Sequence, residues 1–171
     1  MAKNDVIGEW RKQEVIITRI FNAPGELVWK AWTDPEHFKH WWGPKDFTSP
    51  FCKIDLRVGG KYLNCMRSPK GQDFWTTGVY REIVPLERIV YTDSFADTEG
   101  NVVPATYYGM SADFPLETLV TVTFEDYEGK TIMTLKHVDL PIGEMSEQTG
   151  AGWNESFDKL AKSLGREEKL L

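Results

Sequence analysis

The chain has 171 residues, of which 41% are hydrophobic and 27% are charged, and its net charge at pH 7 is −6. This length and composition are typical of one compact domain. The negative charge and the lack of a basic block exclude nucleic acid and an anionic membrane surface as expected partners. No run of about 18 apolar residues is present, so the sequence predicts no membrane span. The polar N-terminus lacks the apolar core of a signal peptide, which favours the cytoplasm.

Most of the chain has the pattern of β-strands. Residues 1–12 are polar and are predicted to form a frayed extension. β-branched and alternating residues predict seven strands, at 14–21, 47–56, 61–67, 74–84, 88–95, 119–124 and 131–138. Turn signals such as Gly59-Gly60 and Glu128-Gly129 join them as hairpins, so the sheet is expected to be antiparallel. Within the fourth strand, Gly78 indicates a bulge or a close contact.

Two short helices are predicted after the first strand. One spans 24–32 with Pro24 as its first residue. The other starts at Pro35 with Asp34 as N-cap, continues through the Trp41-Trp42 pair and ends at Gly43-Pro44. The tryptophan pair near one end of the sheet could gate a pocket or plug the core.

A longer amphipathic helix is predicted over 144–164, with Gly165 as its C-terminal stop. Its apolar stripe recurs at steps of three and four and consists of Met145, Thr149, Trp153, Phe157, Leu160 and Leu164. Gly150 and Gly152 lie inside this pattern, where each costs a helix about 1 kcal/mol relative to Ala. Either another backbone approaches closely at these positions, or space is left for something held beneath the helix.

The segment 96–116 is too long for a hairpin loop and too aromatic for disorder. It is interpreted either as a lid folded over one end of the sheet or as plain loop packing.

His137 shares a predicted strand face with Thr131, Met133 and Leu135. If that face points inward, His137 could orient a ligand, act as a base or be a hydrogen-bonded structural residue. Asp93 is given no role, and neither are Arg81 and Glu82, because a bulge at Gly78 would change the faces that strand residues occupy.

Cysteine and histidine usage predicts neither a disulfide nor a metal site, and no cofactor is expected. His37 and His40 lie three residues apart on a short helix, but no third ligand is nearby in the sequence. With Gly59-Gly60 as a two-residue hairpin loop, Cys52 and Cys65 are diagonal neighbours on one face. That separation is too long for a relaxed disulfide, which predicts two free thiols.

The order of these elements resembles the START-like, or helix-grip, superfamily. The branch it resembles is named for homology to the activator of the heat-shock protein ninety ATPase. The residues that carry the resemblance are Phe21-Asn22-Ala23-Pro24, Val28-Trp29, Ala31-Trp32-Thr33-Asp34-Pro35, Trp41-Trp42-Gly43-Pro44, Asp55-Leu56-Arg57-Val58-Gly59-Gly60, Gly78-Val79-Tyr80-Arg81-Glu82-Ile83, Tyr108-Gly109-Met110 and Gly152-Trp153. The resemblance implies an α+β fold, with a curved antiparallel sheet of about seven strands gripping a long C-terminal helix. It predicts a single domain at 13–165, between the extension at 1–12 and a tail at 166–171.

The resemblance also implies a cavity between helix and sheet that holds apolar molecules. The first hypothesis is therefore a protein that binds a small hydrophobic or aromatic ligand there, for which the seven Trp residues are suited. The predicted ligand-binding residues are Trp42, Trp75, Tyr108, Met110, Met133, Leu135, His137, Thr149, Gly152, Trp153 and Phe157. The alternatives are an enzyme of the cyclase or hydrolase type that uses the same cavity, and a co-chaperone that binds a protein partner. A homodimer is left open.

Overall fold

The structure is a computed structural model that describes residues 13–170, with side chains described over 13–165. The predicted frayed extension at 1–12 lies outside the described residues. None of the helices within the described range is both long and apolar enough to span a membrane.

Within the described residues, seven strands form one antiparallel sheet, as predicted. The strands are β1 (Gln13–Phe21), β2 (Thr48–Ile54), β3 (Lys61–Arg67), β4 (Asp73–Val84), β5 (Arg88–Ala96), β6 (Thr118–Tyr127) and β7 (Lys130–Leu140). Their order across the sheet is β1-β7-β6-β5-β4-β3-β2. Every neighbouring pair except β1 and β7 is consecutive in the chain, so a meander accounts for most of the sheet.

The β6–β7 hairpin illustrates how the sequence sets the register. Val120, Val122 and Phe124 are buried, and the threonines between them lie on the other face. Glu128 and Gly129 both have positive φ values, 51° and 82°, as a two-residue type I′ turn requires. Tyr127 pairs with Lys130 across that turn, which fixes which side chains of β7 face the core.

Two short helices carry the chain from β1 at one edge of the sheet to β2 at the other. They are α1 (Gly25–Thr33) and α2 (Pro35–Phe38). Pro24 is the N-cap of α1 rather than its first residue, and the Asp34 side chain caps α2 by accepting the Glu36 N–H at 3.0 Å.

Helix α2 is shorter than predicted, because it ends at Phe38 and the tryptophan pair follows it in a turn. In that turn Trp41 is completely buried, and the indole Nε1 of Trp41 donates to the Ala31 carbonyl at 2.9 Å. Gly43 follows with a φ of 101°, which redirects the chain toward β2.

The long C-terminal helix, α3 (Glu144–Leu170), lies across the sheet as predicted. Trp153, Phe157 and Leu160 are buried against the core. The predicted stop at Gly165 is wrong, because the helix continues through it to Leu170. Gly165 does not have the positive φ of a left-handed C-cap, so nothing at this position turns the chain away.

The predicted two-residue loop at Gly59-Gly60 is also wrong. Ile54 pairs with Tyr62, and the loop is longer because Gly60 pairs with β4, where its carbonyl accepts the Tyr80 N–H at 2.9 Å. The changed register places Cys52 opposite Asn64 and Cys65 opposite Phe51. The two cysteines therefore lie on opposite faces rather than as diagonal neighbours on one face, and both are free.

Candidate functional site

A pocket of about 230 Å³ lies between the N-terminal half of α3 and the sheet face that α3 covers. Its walls come from the segment after α2, from β3, β4, β5 and β7, from the β5–β6 loop and from α3. The lining residues are Trp42, Gly43, Pro44, Met66, Thr76, Asp93, Phe95, Met110, Phe114, His137, Met145, Gln148, Thr149, Gly152, Trp153 and Ser156. Most of these side chains are apolar, as in small-molecule sites of proteins generally.

Part of the predicted ligand-binding set lines this pocket. The members that do so are Trp42, Met110, His137, Thr149, Gly152 and Trp153. Met133, Leu135 and Phe157 are completely buried in the core and do not reach it. Strand and helix periodicity identified the inward face correctly, but only the packing separates core positions from pocket positions.

Trp75 and Tyr108 also lie outside the pocket lining and hold the β5–β6 loop to the sheet. The Tyr108 hydroxyl accepts the Trp75 N–H at 3.1 Å and donates to the Ala96 carbonyl. The same loop brings Met110 and Phe114 to the pocket, and the Phe114 ring contacts Phe95 of β5 with centroids 5.6 Å apart. The loop segment from 96 to 116 is thus an ordered part of the pocket wall.

Gly78 of β4 leaves room for the Tyr62 side chain of β3 to pass over β4 toward the pocket. A Cβ at this position would lie 2.6 Å from Cε2 of Tyr62 and 1.7 Å from the Thr92 carbonyl oxygen. The missing side chain leaves room for the Tyr62 ring, whose hydroxyl donates to Asp93 Oδ1 at 2.6 Å. The predicted close contact at Gly78 is confirmed, whereas the bulge of β4 lies between Tyr80 and Glu82.

His137 faces inward, as its strand face predicted, and both ring nitrogens are in hydrogen bonds. The indole Nε1 of Trp153 donates to Nδ1 at 3.1 Å, so Nδ1 is the acceptor and Nε2 carries the proton. Nε2 lies 2.8 Å from the Thr118 hydroxyl, which in turn donates to the backbone carbonyl of Asp93. This chain of donors fixes one neutral tautomer of His137.

Burial lowers the pKa of His137 to about 4, which keeps the ring neutral at physiological pH. Protonation at Nδ1 would also break the hydrogen bond from Trp153. These contacts make His137 a structural residue that positions Trp153 in the pocket wall, and they leave neither nitrogen available as a base.

Asp93 is the ionisable residue of the pocket that sequence reasoning did not select. Its Oδ1 accepts the Tyr62 hydroxyl, and its Oδ2 lies 4.0 Å from Nε2 of His137. Burial raises the pKa of Asp93 to about 6, and the hydrogen bond from Tyr62 partly opposes that shift. The alternation of Ile89, Tyr91 and Asp93 along β5 was the available signal, since the first two are core residues.

The two residues of the tryptophan pair have different positions, one in the core and the other at the pocket. Trp41 is buried in the core, whereas Trp42 lines both the pocket and a second, smaller void of about 20 Å³. Two buried polar atoms of pocket-lining residues, Trp42 Nε1 and Thr76 Oγ1, have no hydrogen-bond partner within the described part of the chain. Both atoms are buried behind the pocket surface, so they are unpaired polar groups of the wall.

Side chains of α3 hold the segment after α2 in place as a pocket wall. The Lys159 ammonium donates to the carbonyls of Pro44 and Phe47 at 3.1 and 3.2 Å, and burial lowers its pKa. The Ser156 hydroxyl donates to the Gly43 carbonyl at 2.8 Å. The pocket wall after α2 is therefore fastened directly to the helix that covers the sheet.

No group of three or more metal-ligating side chains occurs in the part of the chain that the structure describes. His37 lies 3.2 Å from the Asp34 carboxylate, and its ring centroid is 6.3 Å from that of His40. Both histidines belong to the α2 region, and neither lines the pocket.

The family model of the activator of Hsp90 ATPase homolog 1-like proteins matches residues 22–165. The chain belongs to this family. The match covers most of the chain and confirms the predicted START-like branch. Family and fold together place the protein among ligand-binding or co-chaperone-like proteins. Among curated proteins, none matches this chain in sequence.

Solved structures support the same fold. A protein from Chromobacterium violaceum is 28% identical with a TM-score of 0.71, and the alignment covers 88% of this chain and 96% of that one. The AHSA1 protein from Silicibacter pomeroyi is 24% identical with a TM-score of 0.72, covering 91% and 99%. A protein from Nitrosomonas europaea is 24% identical with a TM-score of 0.74, covering 91% and 96%.

Proposed function

We propose that this protein binds a small apolar or aromatic molecule in the pocket between α3 and the sheet. The observation that carries the proposal is a pocket of about 230 Å³ whose walls include the rings of Trp42, Trp153 and Phe95. Pockets for drug-sized ligands span about 300–1,000 Å³. A ligand of one or two rings therefore suits this site better than a sterol does.

Binding is a better account of the pocket than catalysis. His137, the candidate base predicted from the sequence, is neutral and uses both of its ring nitrogens in hydrogen bonds. Asp93 is the remaining ionisable residue among the described residues of the pocket lining, so no second one lies there to form an acid–base pair with it. A mostly apolar pocket with a small number of polar groups is the pattern that ligand-binding sites share.

The first test is a thermal-shift screen with one- and two-ring aromatics, flavonoids and fatty acids. At a hundredfold excess over its dissociation constant, a ligand adds about 2.7 kcal/mol to the free energy of unfolding. For a domain of this size the expected rise in Tm is roughly 5–10 °C. The ligand should also change the Trp fluorescence, because Trp42 and Trp153 both line the pocket.

Gly152→Leu tests the location of the ligand. Gly152 lines the pocket, and a Cβ there would meet the Pro44 ring at an ordinary 3.7 Å, so the larger side chain should enter the pocket without unfolding the helix. Gly150→Leu is the matched control, because Gly150 is in the same helix but faces Val15 outside the pocket lining.

We expect both variants to keep their far-UV circular dichroism, and only Gly152→Leu to lose the ligand-induced rise in Tm. A screen without any hit would contradict the proposal, as would a Gly152→Leu variant that binds a hit as tightly as the unmodified protein.

A further inference from the structure

The charge of the pocket is unbalanced. Asp93 is the only Asp, Glu, Lys or Arg among the described residues that line it. Its neighbour His137 is held neutral by its two hydrogen bonds. Lys159 of α3 lies behind the wall, where its ammonium donates to the carbonyls of Pro44 and Phe47 rather than entering the pocket. An ionised Asp93 therefore has no cationic partner there.

One oxygen of the Asp93 carboxylate also has no hydrogen-bond partner among the described residues. Oδ1 accepts the Tyr62 hydroxyl at 2.6 Å. Oδ2 is 4.0 Å from Nε2 of His137, beyond hydrogen-bond distance, and that nitrogen bonds Thr118 instead. The Asp93 side chain keeps 20% of its surface exposed, and Asp93 lines the pocket. Oδ2 is thus an acceptor that a ligand can reach.

A carboxylate in apolar surroundings is unfavourable unless a positive charge or a set of donors compensates it. A ligand ammonium supplies both the charge and the donor. The faces of Trp42, Trp153 and Phe95 would cover the apolar body of the ligand and stabilise a cation next to them. A ligand carboxylate would instead meet Asp93 as a like charge.

We propose that the ligand is an apolar organic cation, an amine on a one- or two-ring body, whose ammonium pairs with Asp93 Oδ2. This inference rests on the proposed function and specifies the class of its ligand. A neutral alcohol or phenol could donate the same hydrogen bond without the charge, and the experiment distinguishes the two.

The experiment measures the binding of naphthylethylamine, naphthylethanol and naphthylacetic acid by calorimetry at pH 7. These probes share one apolar body and differ in the polar end. We expect the amine to bind about tenfold more tightly than the alcohol, because a charge-assisted hydrogen bond is stronger than a neutral one. The acid should bind most weakly.

The affinity for the amine should also depend on pH. Asp93 has a pKa of about 6, so it is mostly ionised at pH 7 and mostly protonated at pH 5. The groups that face it do not change charge in this interval: His137 has a pKa of about 4, and the pKa values of Tyr62 and Tyr91 lie well above 10. We expect about tenfold weaker amine binding at pH 5 than at pH 7, and no comparable change for the alcohol.

Two variants connect this behaviour to Asp93. Asp93→Asn should remove both the preference for the amine and its pH dependence, while the alcohol still binds. Tyr62→Phe keeps the carboxylate but removes the hydrogen bond that lowers its pKa, so the midpoint of the amine's pH profile should move upward. If Asp93→Asn does not fold, the shifted pH profile of Tyr62→Phe still tests whether Asp93 binds the amine.

The outcomes separate the two proposals. If the alcohol binds as tightly as the amine at both pH values, or the acid binds most tightly, the amine proposal is overturned and the proposed function stands. If none of the three probes binds, both proposals are contradicted.

Discussion

Asp93 and His137 lie 4.0 Å apart in the pocket wall, and burial shifts their pKa values in opposite directions. The pKa of Asp93 rises from 3.8 to about 6, and the pKa of His137 falls from 6.5 to about 4. Between pH 4 and 6 the folded chain holds the Asp93 proton that an unfolded chain has released. Over the same interval the unfolded chain binds a proton on His137 that the folded chain does not.

These two groups therefore make opposing contributions to stability. The Asp93 contribution stabilises the fold at low pH and is lost as the pH rises toward 6. The His137 contribution is present above pH 6.5 and is lost as the pH falls toward 4. Between pH 4 and 6 the two slopes largely cancel in the unmodified protein.

Single variants should reveal each slope. The free energy of unfolding of Asp93→Asn, relative to the unmodified protein, should rise by up to about 1.4 kcal/mol per pH unit from pH 4 to 6. His137→Gln should show the opposite trend in the same interval. Urea titrations at a series of pH values measure both. Differences that do not change with pH would contradict the assigned pKa values.

The sequence could predict the inward position of His137 but not its role. The alternation of side chains along β7 predicts that His137 shares a face with Met133 and Leu135, because a short type I′ turn fixes the register of that hairpin. The role depends on Trp153 and Thr118, which lie on other elements and come together only in the fold. Asp93 was passed over because a bulge in the neighbouring strand makes cross-strand register unpredictable from local pattern.

Helix α3 combines packing and pocket formation along its length. Its C-terminal half buries Phe157, Leu160 and Leu164 in the core, whereas Gly152 and Thr149 in its N-terminal half line the pocket. The glycines are not sites of close backbone approach, because the nearest atoms to an added Cβ belong to the side chains of Val15 and Pro44, beyond 3.5 Å. Only Gly152 fits the alternative interpretation, that glycine leaves room beneath the helix.

Phe157→Ala should destabilise the protein by about 3–5 kcal/mol, because its ring is completely buried and a cavity would remain. The matched control is Lys162→Ala at an exposed position of the same helix, which should change stability by no more than about 0.5 kcal/mol. Denaturant unfolding measures both. A loss below about 1 kcal/mol for Phe157→Ala would contradict the packing of the helix against the sheet.

Element ends were harder to predict than the elements themselves. The end of α3 was placed at Gly165 because glycine often terminates helices, yet glycine is only a permissive residue and requires a local reason to adopt a positive φ. The prediction of a two-residue loop at Gly59-Gly60 was wrong for a related reason. Its backbone pairs with Tyr80 of β4, a tertiary contact that no local pattern contains.

At the scale of the whole molecule, Cys65 offers a probe of global opening. It is completely buried, and burial raises the pKa of its thiol to about 11, so thiolate is scarce in the folded protein. Cys52 points to the opposite face of the sheet, and burial raises its pKa to about 12. The opposed faces prevent a disulfide between them without backbone movement.

We therefore expect two reactive thiols per chain after denaturation without a reductant, and very slow labelling of the folded protein by a maleimide. In a Cys52→Ser variant, which isolates Cys65, labelling should be at least about a thousandfold slower than in the unfolded chain, because the unfolded state is rarely populated. If β2 and β3 open together with the rest of the sheet, the free energy calculated from labelling should equal that from urea unfolding. A smaller value would mean that this edge opens separately, and labelling as fast as that of an unfolded chain would contradict the burial of Cys65.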